Sequence, residues 1–326
     1  MTRQRKVIFG VAIAAVVVVA SACEMGPAAT GAFDRSFNVT APIRLELSNT
    51  SGNVTITGSS DNKVHVHGDV RSSGMGFDSP QKRLDAVVSN PPVEQKGDTI
   101  RIGKEYSKIH NVSIAYTIEV PHDTEISTQV LSGSQDISNV RGPVKADAAS
   151  GSIKVNGIDR QTTLNTLSGS IDVQNIGDDL RASSASGSVT VSKIKGDVRI
   201  SALSGGTQII GPGGRVDAST ASGSVEVQGA TRDVKAHAVS GTVNVQGNPG
   251  DTSYWDLTTT SGVVHLGVPT NANFRLSAEA ASGQIKTEVP IVIEEQGKHS
   301  LRARMGNGGG RVEVHTVSGE IRVSAS

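Results

Sequence analysis

Hydrophobic and polar residues alternate along most of the chain in short runs, and these runs recur at a fixed interval. Each repeat is marked by a Ser-Gly pair, and seven consecutive pairs follow one another at a constant spacing without insertion or deletion. They are Ser132-Gly133, Ser150-Gly151, Ser168-Gly169, Ser186-Gly187, Ser204-Gly205, Ser222-Gly223 and Ser240-Gly241. The pair returns at Ser261, Ser282 and Ser318, so the chain is built from internal repeats.

Aliphatic residues occupy the same positions in each repeat relative to its serine. Around Ser150 they are Val144 and Ala146 before the serine and Ile153 and Val155 after it, with polar residues between them. This period-two alternation predicts two short strands per repeat, each with one buried face. We therefore predict an all-β fold.

The constant spacing favours a β-solenoid of roughly 18-residue Ser-Gly repeats, because stacked coils tolerate length changes poorly. An antiparallel β-meander is the alternative. A two-residue Ser-Gly turn would place Leu131 opposite Ser134, apolar against polar, which disfavours that turn but leaves longer loops open. In the solenoid, each glycine would take the corner with positive φ, and the serine hydroxyls would form a ladder along the stack.

The residue before each serine alternates between large and small, as in Leu131, Ala149 and Leu167. Coils of one repeat each would place large and small residues in one column, where successive layers interlock. Coils of two repeats each would place them on opposite sides of the solenoid. We prefer the shorter coil.

The repeat divides the chain into regions. Residues 39–130 are less regular and are interpreted as the first coils of the solenoid or a β cap over its end, with a short helix or excursion at 81–92. Residues 131–326 form the regular solenoid, with an insertion at about 290–309 that we expect to be a protruding hairpin before a last rung at 311–326. Such cover is expected because an open sheet edge invites aggregation.

The composition suits thin layers of aliphatic residues. The 326 residues include 37 glycines and only 3% aromatic residues, a poor recipe for a spherical enzyme core. The 31 basic and 31 acidic residues balance, which gives no reason to expect nucleic acid as a partner.

The N-terminus predicts export. Basic residues among the first six are followed by an apolar run at 7–20 and then by Ala20-Ser21-Ala22-Cys23, which resembles a bacterial lipobox. We interpret 1–22 as a signal peptide and 23–38 as a lipidated Cys23 with a short tether, so that acyl chains attach the protein to the membrane. The alternative is an ordinary signal peptide or an uncleaved anchor, with Cys23 incidental.

The lipobox-like start, "LELSNTSGNVTITG", "YTIEVPHDTEI" and the serial "ASGSIKV"-type rungs together resemble a known family. The chain is similar, over roughly residues 40–326, to the bacterial β-strand-repeat proteins of unknown function named putative adhesins. The resemblance implies an envelope-attached β-solenoid and provides no catalytic residues to carry over.

Candidate chemistry is sparse. Asp136 and Asp172 would lie two coils apart with Lys154 between them, a poor arrangement for a glycosidase acid pair. His65 and His67 share one face of a strand, but no third histidine is near in sequence. We therefore predict no catalytic site, no metal site and no cofactor.

Trp255 and Tyr254 are the one candidate ligand contact on the stack. Trp255 falls in an inward column, where a core role is the simpler interpretation. With Tyr254 it could instead form an aromatic patch that binds sugar.

Together these features predict a non-enzymatic cell-envelope lipoprotein that acts as an adhesin or a binding or scaffold module, with a glycan, matrix or envelope protein as its partner. The rival is a periplasmic sensor or partner module of a membrane signalling system. A carbohydrate-active β-helix enzyme is a third hypothesis, disfavoured by the missing acid pair.

Overall fold

The computed structural model describes residues 28–40, 42–74, 79–103 and 111–326. The predicted signal peptide and Cys23 lie outside the described residues. Among the described residues, no helix is long and apolar enough to cross a membrane.

The centre of the molecule is a stack of two-stranded coils. Each coil contributes one strand to each of two facing sheets, and equivalent strands pair in parallel with the coils before and after. These strands are β8 (Glu125–Ser132), β9 (Gln135–Val140), β10 (Val144–Ser150), β11 (Ile153–Ile158), β12 (Thr162–Ser168), β13 (Ile171–Ile176), β14 (Leu180–Ser186), β15 (Val189–Ile194), β16 (Val198–Ser204), β17 (Thr207–Pro212), β18 (Val216–Ser222), β19 (Val225–Ala230), β20 (Val234–Ser240) and β21 (Val243–Gly247).

The register gives the coil length directly. Val144 pairs with Thr162 in one sheet and Ile153 pairs with Ile171 in the other, so both sheets advance by one repeat per coil. The β-solenoid with one 18-residue repeat per coil is therefore confirmed, and the meander is excluded because these pairs are parallel. The predicted inward columns are buried, as Val144, Ala146, Ile153 and Val155 show in one coil.

The Ser-Gly pairs form the corner between the two sheets. Gly151 and Gly169 have φ of +127° and +150°, and a Cβ on Gly151 would lie 2.2 Å from the carbonyl oxygen of Gly133. The backbone ladders here, since the Gly133 N–H donates to the Ser150 oxygen at 3.0 Å. Serine hydroxyls approach each other one residue beyond the glycine instead, as Ser170 and Ser188 do at 3.4 Å.

A second column of left-handed residues was not anticipated. It comprises Asn139, Gly157, Asn175, Lys193, Gly211 and Gly229, each with positive φ. This bend shifts the phase of the alternation by one residue, so that the residue after it, such as Ile158, points inward and is fully buried.

The residues directly before the serines do not interlock in the core, contrary to the expectation for a one-repeat coil. Large residues such as Leu167 are 63% exposed, whereas small ones such as Ala185 are half-buried. The alternation therefore does not interlock layers of the core. It shapes the outer surface of the Ser-Gly edge, because this position follows the last inward residue of its strand and faces out.

The N-terminal region supplies the first coil and a cap. Its elements are β1 (Ala29–Asn38), β2 (Arg44–Ser51), β3 (Val54–Ser59), β4 (Lys63–Ser72), α1 (Pro80–Ser89), β5 (Val93–Lys96), β6 (Thr99–Ile102) and β7 (Val112–Pro121). Strands β2 and β3 pair in parallel with β8 and β9 and form a coil. Strands β6 and β7 continue the two sheets, and β4 and β1 add antiparallel to β7.

The expectation of a tether is wrong for residues 29–38, which form β1. The strand has little alternation of its own and is held by its backbone pairing with β4, which a local pattern does not reveal. Helix α1 begins at the N-cap Ser79, whose side chain accepts a hydrogen bond from the Lys82 N–H, and buries Leu84 and Val87.

The C-terminal coils are out of sequence order. They consist of β22 (Tyr254–Val268), β23 (Phe274–Thr287), β24 (Val292–Gln296), β25 (Ser300–Met305) and β26 (Gly310–Ala325). Strand β26 inserts between β22 and β23, pairing in parallel with both, so the predicted last rung is the second-last in space. The β24–β25 hairpin adds antiparallel to β23 at the end of one sheet.

Candidate functional site

A polar groove runs along the edge opposite the Ser-Gly corner, where each coil turns back into the first sheet. It has a volume of about 670 Å³, and its turns carry Gly196, Gly213, Gly214 and Gly250, so few side chains fill it. We call it the turn-edge groove. A smaller hollow of about 100 Å³ beside it is lined by Arg181, Arg199 and Asp217, among others.

One column of side chains follows the groove along the stack. In successive coils it contains Asp179, Asp197, Arg215, Asp233, Tyr254 and Arg311. Three of its carboxylates each accept a hydrogen bond from the backbone N–H of the next coil. The distances are 2.9 Å from Asp197 N to Asp179, 2.8 Å from Arg215 N to Asp197 and 3.0 Å from Tyr254 N to Asp233.

Ion pairs connect the coils across the groove wall. Arg215 lies 3.4 Å from Asp233, and Arg199 lies 3.2 Å from Asp217. Both guanidinium groups are well exposed, so these pairs position the side chains more than they stabilise the fold. The groove therefore offers fixed carboxylate acceptors beside guanidinium donors.

Tyr254 contacts two charged side chains near one end of the column. The Tyr254 hydroxyl donates to a Glu313 carboxylate oxygen at 2.5 Å, and the Arg311 guanidinium carbon lies 5.8 Å from the centre of the Tyr254 ring. The hydrogen bond to Glu313 raises the pKa of Tyr254 to about 12. The same bond, with help from Arg311, lowers the pKa of Glu313, so this carboxylate stays ionised at neutral pH.

Trp255 does not belong to a surface site. It is fully buried, and its indole N–H donates to the Arg232 carbonyl at 2.7 Å. The suggested aromatic contact is therefore reduced to Tyr254, which is 42% exposed. Alternation along β22 explains this difference, because neighbouring residues of a strand face opposite ways.

The other residues singled out from the sequence lie elsewhere, on the opposite sheet and on the N-terminal cap. Lys154 pairs with Asp136 on one side and Asp172 on the other, so no two of these carboxylates are adjacent. His65 and His67 face β1, where they contact Ser36 at 2.9 Å and Asp34 at 2.8 Å. Within the described part of the chain, no three His, Cys, Asp or Glu side chains gather in a way that could hold a metal ion.

Comparison with known proteins identifies the family. The family model described as Toastrack DUF4097 matches residues 38–324. The chain belongs to the Toastrack DUF4097 family. The Toastrack match includes both the turn-edge groove and the Ser-Gly corner, whereas β1 lies almost wholly before it. It confirms the resemblance seen in the sequence. Comparison with curated proteins gives no match.

Two solved structures are similar to this Toastrack chain. One is described as a putative cell adhesion protein from Clostridium sporogenes, with 11% identity, covering 91% of this chain and 100% of that one, at a TM-score of 0.21. The other is a putative adhesin from Bacteroides fragilis, with 14% identity, covering 91% and 97%, at a TM-score of 0.35.

The groove itself was missed in the sequence. Its signal is a polar column directly before the inward Leu180, Val198 and Val234, with Asp179, Asp197 and Asp233 in equivalent turns. This column is inconspicuous because the turns vary in composition, whereas the Ser-Gly corners do not.

Proposed function

We propose that the protein is a non-enzymatic, exported binding module, attached to the cell envelope by a lipid at Cys23, whose turn-edge groove binds an extended glycan. The groove is the observation that supports this function. It is long, polar and poor in side chains, and it presents carboxylates and guanidinium groups that suit the hydroxyls of a sugar chain. Tyr254, which follows the groove-lining Ser253, adds an exposed aromatic ring beside the groove.

The hydrogen bonding of the carboxylates favours binding over catalysis. Asp179 and Asp197 each commit an oxygen to a backbone N–H of the neighbouring coil, which fixes them as acceptors. Arg215 holds Asp233 in the same way through an ion pair. Carboxylates fixed as acceptors in this way are preorganised to hold a ligand rather than to donate a proton.

Binding is tested with insoluble polysaccharides. The protein, purified from membranes in non-ionic detergent, is mixed with chitin, cellulose or peptidoglycan sacculi, and the sedimented fraction is measured. We expect at least one of these glycans to bind, and Arg215→Gln to weaken binding about tenfold by removing a charged donor. Lys154→Gln, on the opposite sheet, is the matched control. Failure of all three glycans to bind, or equal loss in both variants, would refute the glycan assignment.

Attachment and exposure are tested by protease shaving of intact cells. We expect the wild-type protein to be membrane-bound and cleaved from outside, and Cys23→Ala to be released into the soluble fraction. Attachment that survives Cys23→Ala contradicts the lipid anchor. Protection of the wild type until the envelope is opened places the protein in the periplasm and favours the sensor or partner role.

A further inference from the structure

Five large apolar side chains stand exposed in one row along the Ser-Gly edge, away from the turn-edge groove. Each is the residue directly before the serine of a corner, and their exposed fractions lie between 56% and 63%. They are Leu131, Leu167, Leu203, Val239 and Val317. A contiguous exposed apolar surface of this kind on a soluble domain usually marks an interaction site.

Small residues separate the large ones in every intervening coil. In spatial order the row reads Leu131, Ala149, Leu167, Ala185, Leu203, Ala221, Val239, Thr260, Val317 and Ala281. Large and small residues alternate along the stack although they do not alternate in sequence order at the C-terminus. The reason is that β26 places Val317 between Thr260 and Ala281. We call these ten residues the edge row.

The edge row is a series of ridges and notches. A hollow of about 580 Å³ runs past Leu131 from Thr50 to Ala149 and Leu167, and one of about 560 Å³ lies around Ala185 between Leu167 and Leu203. Ridges repeat every second coil, about 9.6 Å apart for strands spaced by 4.8 Å. Because ridges and notches share this repeat, the ridges of a second row can match the notches of the first in spacing.

We propose that the edge row is the interface with a second copy of this chain, packed antiparallel about a two-fold axis. The row has ten members, begins with a large residue and ends with a small one. Reversing it against itself therefore places every ridge opposite a notch. Leu131 then faces Ala281 of the second copy, and Leu203 faces Ala221, with the axis between them.

The polar residues beside the edge row agree with the antiparallel arrangement. Asp147 flanks the second coil of the row and His315 flanks the ninth, so each faces the other across the interface. In the parallel arrangement, Leu131 would meet Leu131, and each large residue would meet its own copy. Large residues would clash and the notches would stay empty, which disfavours that alternative.

A neighbouring register also alternates but is less favourable. It would use Thr50, the next residue of the column beyond Leu131, and leave Ala281 outside. Two threonines, Thr50 and Thr260, would then face large apolar side chains, whereas the first register has only Thr260 in such a position. Each extra hydroxyl that loses water without gaining a partner is unfavourable.

The size of the row predicts a weak dimer. Ten coils span about 43 Å, and a strip about 12 Å wide covers roughly 500 Å² on each copy, below the roughly 800 Å² of a standard interface. We therefore expect a reversible monomer–dimer equilibrium in the micromolar range rather than a permanent dimer.

Association is measured by sedimentation equilibrium of the protein in density-matched detergent. We expect the wild type to dimerise with concentration, and the variant Leu131→Ser, Leu167→Ser, Leu203→Ser to dissociate at least tenfold more readily. The control is Val292→Ser, Ile293→Ser on β24, which removes apolar side chains of similar exposure, 53% and 49%, outside the row. A wild type that is monomeric throughout, or dimers unaffected by the leucine variant, overturns the proposal.

Ala185→Leu separates a shaped interface from general stickiness. It adds apolar surface but fills the notch that receives Val239 of the second copy. We expect it to weaken the dimer about tenfold. Stronger association would mean that the row is a non-specific apolar patch. Binding of the monomeric wild type to phosphatidylglycerol vesicles, lost in the leucine variant, would assign the row to a bilayer and overturn the proposal as well.

Cross-linking in cells tests the direction of packing. Two differently tagged copies are co-expressed, one with Leu131→Cys and one with Ala281→Cys, and treated with a short thiol cross-linker. We expect a cross-link only when both are present and none in the wild type, because the proposed lipid occupies the Cys23 thiol. A cross-link between two Leu131→Cys copies alone would indicate the parallel arrangement and refute the antiparallel one.

Discussion

At the residue scale, some threonine hydroxyls buried in the core make hydrogen bonds and others do not. The buried Thr128 hydroxyl donates to the Gln135 side-chain oxygen at 2.5 Å, and the Gln135 amide donates to the Asp147 carbonyl at 3.0 Å. Thr207 is equally buried, between Val189 and Val225 of the neighbouring coils, and its hydroxyl has no hydrogen-bond partner among the described residues.

These two threonines should respond oppositely to the same substitution. Thr207→Val removes an unpaired buried hydroxyl and should raise the free energy of unfolding by about 1 kcal/mol. Thr128→Val leaves the buried Gln135 side-chain oxygen without its donor and should lower the free energy of unfolding by about 1–3 kcal/mol. Urea denaturation followed by circular dichroism measures both. Equal effects in the two variants would show that the hydroxyl contacts do not decide stability here.

The corner glycines are a second residue-scale constraint. Gly187 has φ of +130°, and a Cβ there would lie 2.2 Å from the carbonyl oxygen of Gly169 in the coil below. Gly211 also has positive φ, but nothing lies within 4 Å of its Cβ position. The corner therefore requires glycine for two reasons, because φ is positive and because there is no room for a Cβ. The second left-handed column requires only a residue that adopts positive φ.

Gly187→Ala should therefore lower the free energy of unfolding by about 2–4 kcal/mol, through backbone strain and the clash with the neighbouring coil. Gly211→Asn should change it by less than about 0.5 kcal/mol, because asparagine adopts positive φ readily and occupies this column at Asn139 and Asn175. Thermal and urea unfolding of both variants compare them. Similar losses would mean that conformation alone controls the two positions.

At the scale of elements, β1 pairs with β4, buries Phe33 against Tyr116 and makes one charged contact through Asp34. His67 on β4 lies 2.8 Å from Asp34 on β1 and 3.4 Å from Asp69 on its own strand. The hydrogen bond with Asp34 raises the pKa of His67 above its ordinary value of 6.5. The folded state therefore binds this proton more tightly than the unfolded chain does.

This linkage makes the attachment of β1 dependent on pH. The contribution is fully present below the unfolded pKa and is lost as pH rises through the raised folded pKa. Amides of β1 should exchange hydrogen faster at about pH 8 than at about pH 5.5, after correction for intrinsic rates. Asp34→Asn should remove the difference and return the His67 titration, followed by NMR, toward 6.5. An unshifted His67 in the wild type would contradict the pair.

Elements also show what a local pattern can predict. The coils were predictable because each residue stacks on its own equivalent in the next repeat, so Val144, Ile153 and their successors all report the same environment. The buried column of Ile158 was missed because Gly157 shifts the phase, although an Asn or Gly before an aliphatic residue recurs at the same spacing. Strand β1 could not be predicted, since its partner lies far along the chain.

The candidate site was predictable only in part, for the same reason. Alternation already placed Trp255 inward, and its burial leaves Tyr254 as the exposed aromatic. The groove depends on turns, whose side chains have no hydrophobic period to mark them. The edge row was visible as a Leu/Ala alternation, but its exposure and the insertion of Val317 required the three-dimensional order of the coils.

At the scale of the whole molecule, the solenoid is a one-dimensional stack in which each coil contacts its neighbours. Stability is then close to a sum over coils and their interfaces, and removal of one complete coil should leave the rest in register. Coils are also of two kinds that alternate along the stack, those with a large residue in the edge row and those with a small one. Stability depends on the number of coils, whereas the proposed dimer depends on whether that alternation continues.

Two deletions separate these properties. Removing residues 178–195 deletes one complete coil and brings Leu167 next to Leu203, which breaks the alternation. Removing residues 178–213 deletes two coils and restores it, with Leu167 next to Ala221. Both proteins should fold cooperatively, and the larger deletion should lose more stability because it removes more coil interfaces.

Dimerisation should follow the opposite order. The one-coil deletion should dimerise more weakly, because reversing its row places Leu203 against Val239 and Ala221 against itself, whereas the two-coil deletion should still dimerise. Sedimentation equilibrium measures dimerisation, and urea unfolding of the same samples measures stability. If the longer deletion also failed to dimerise while folding normally, the alternation of the edge row would not determine association. If the shorter deletion dimerised as well as the wild type, ridge-and-notch matching would be wrong.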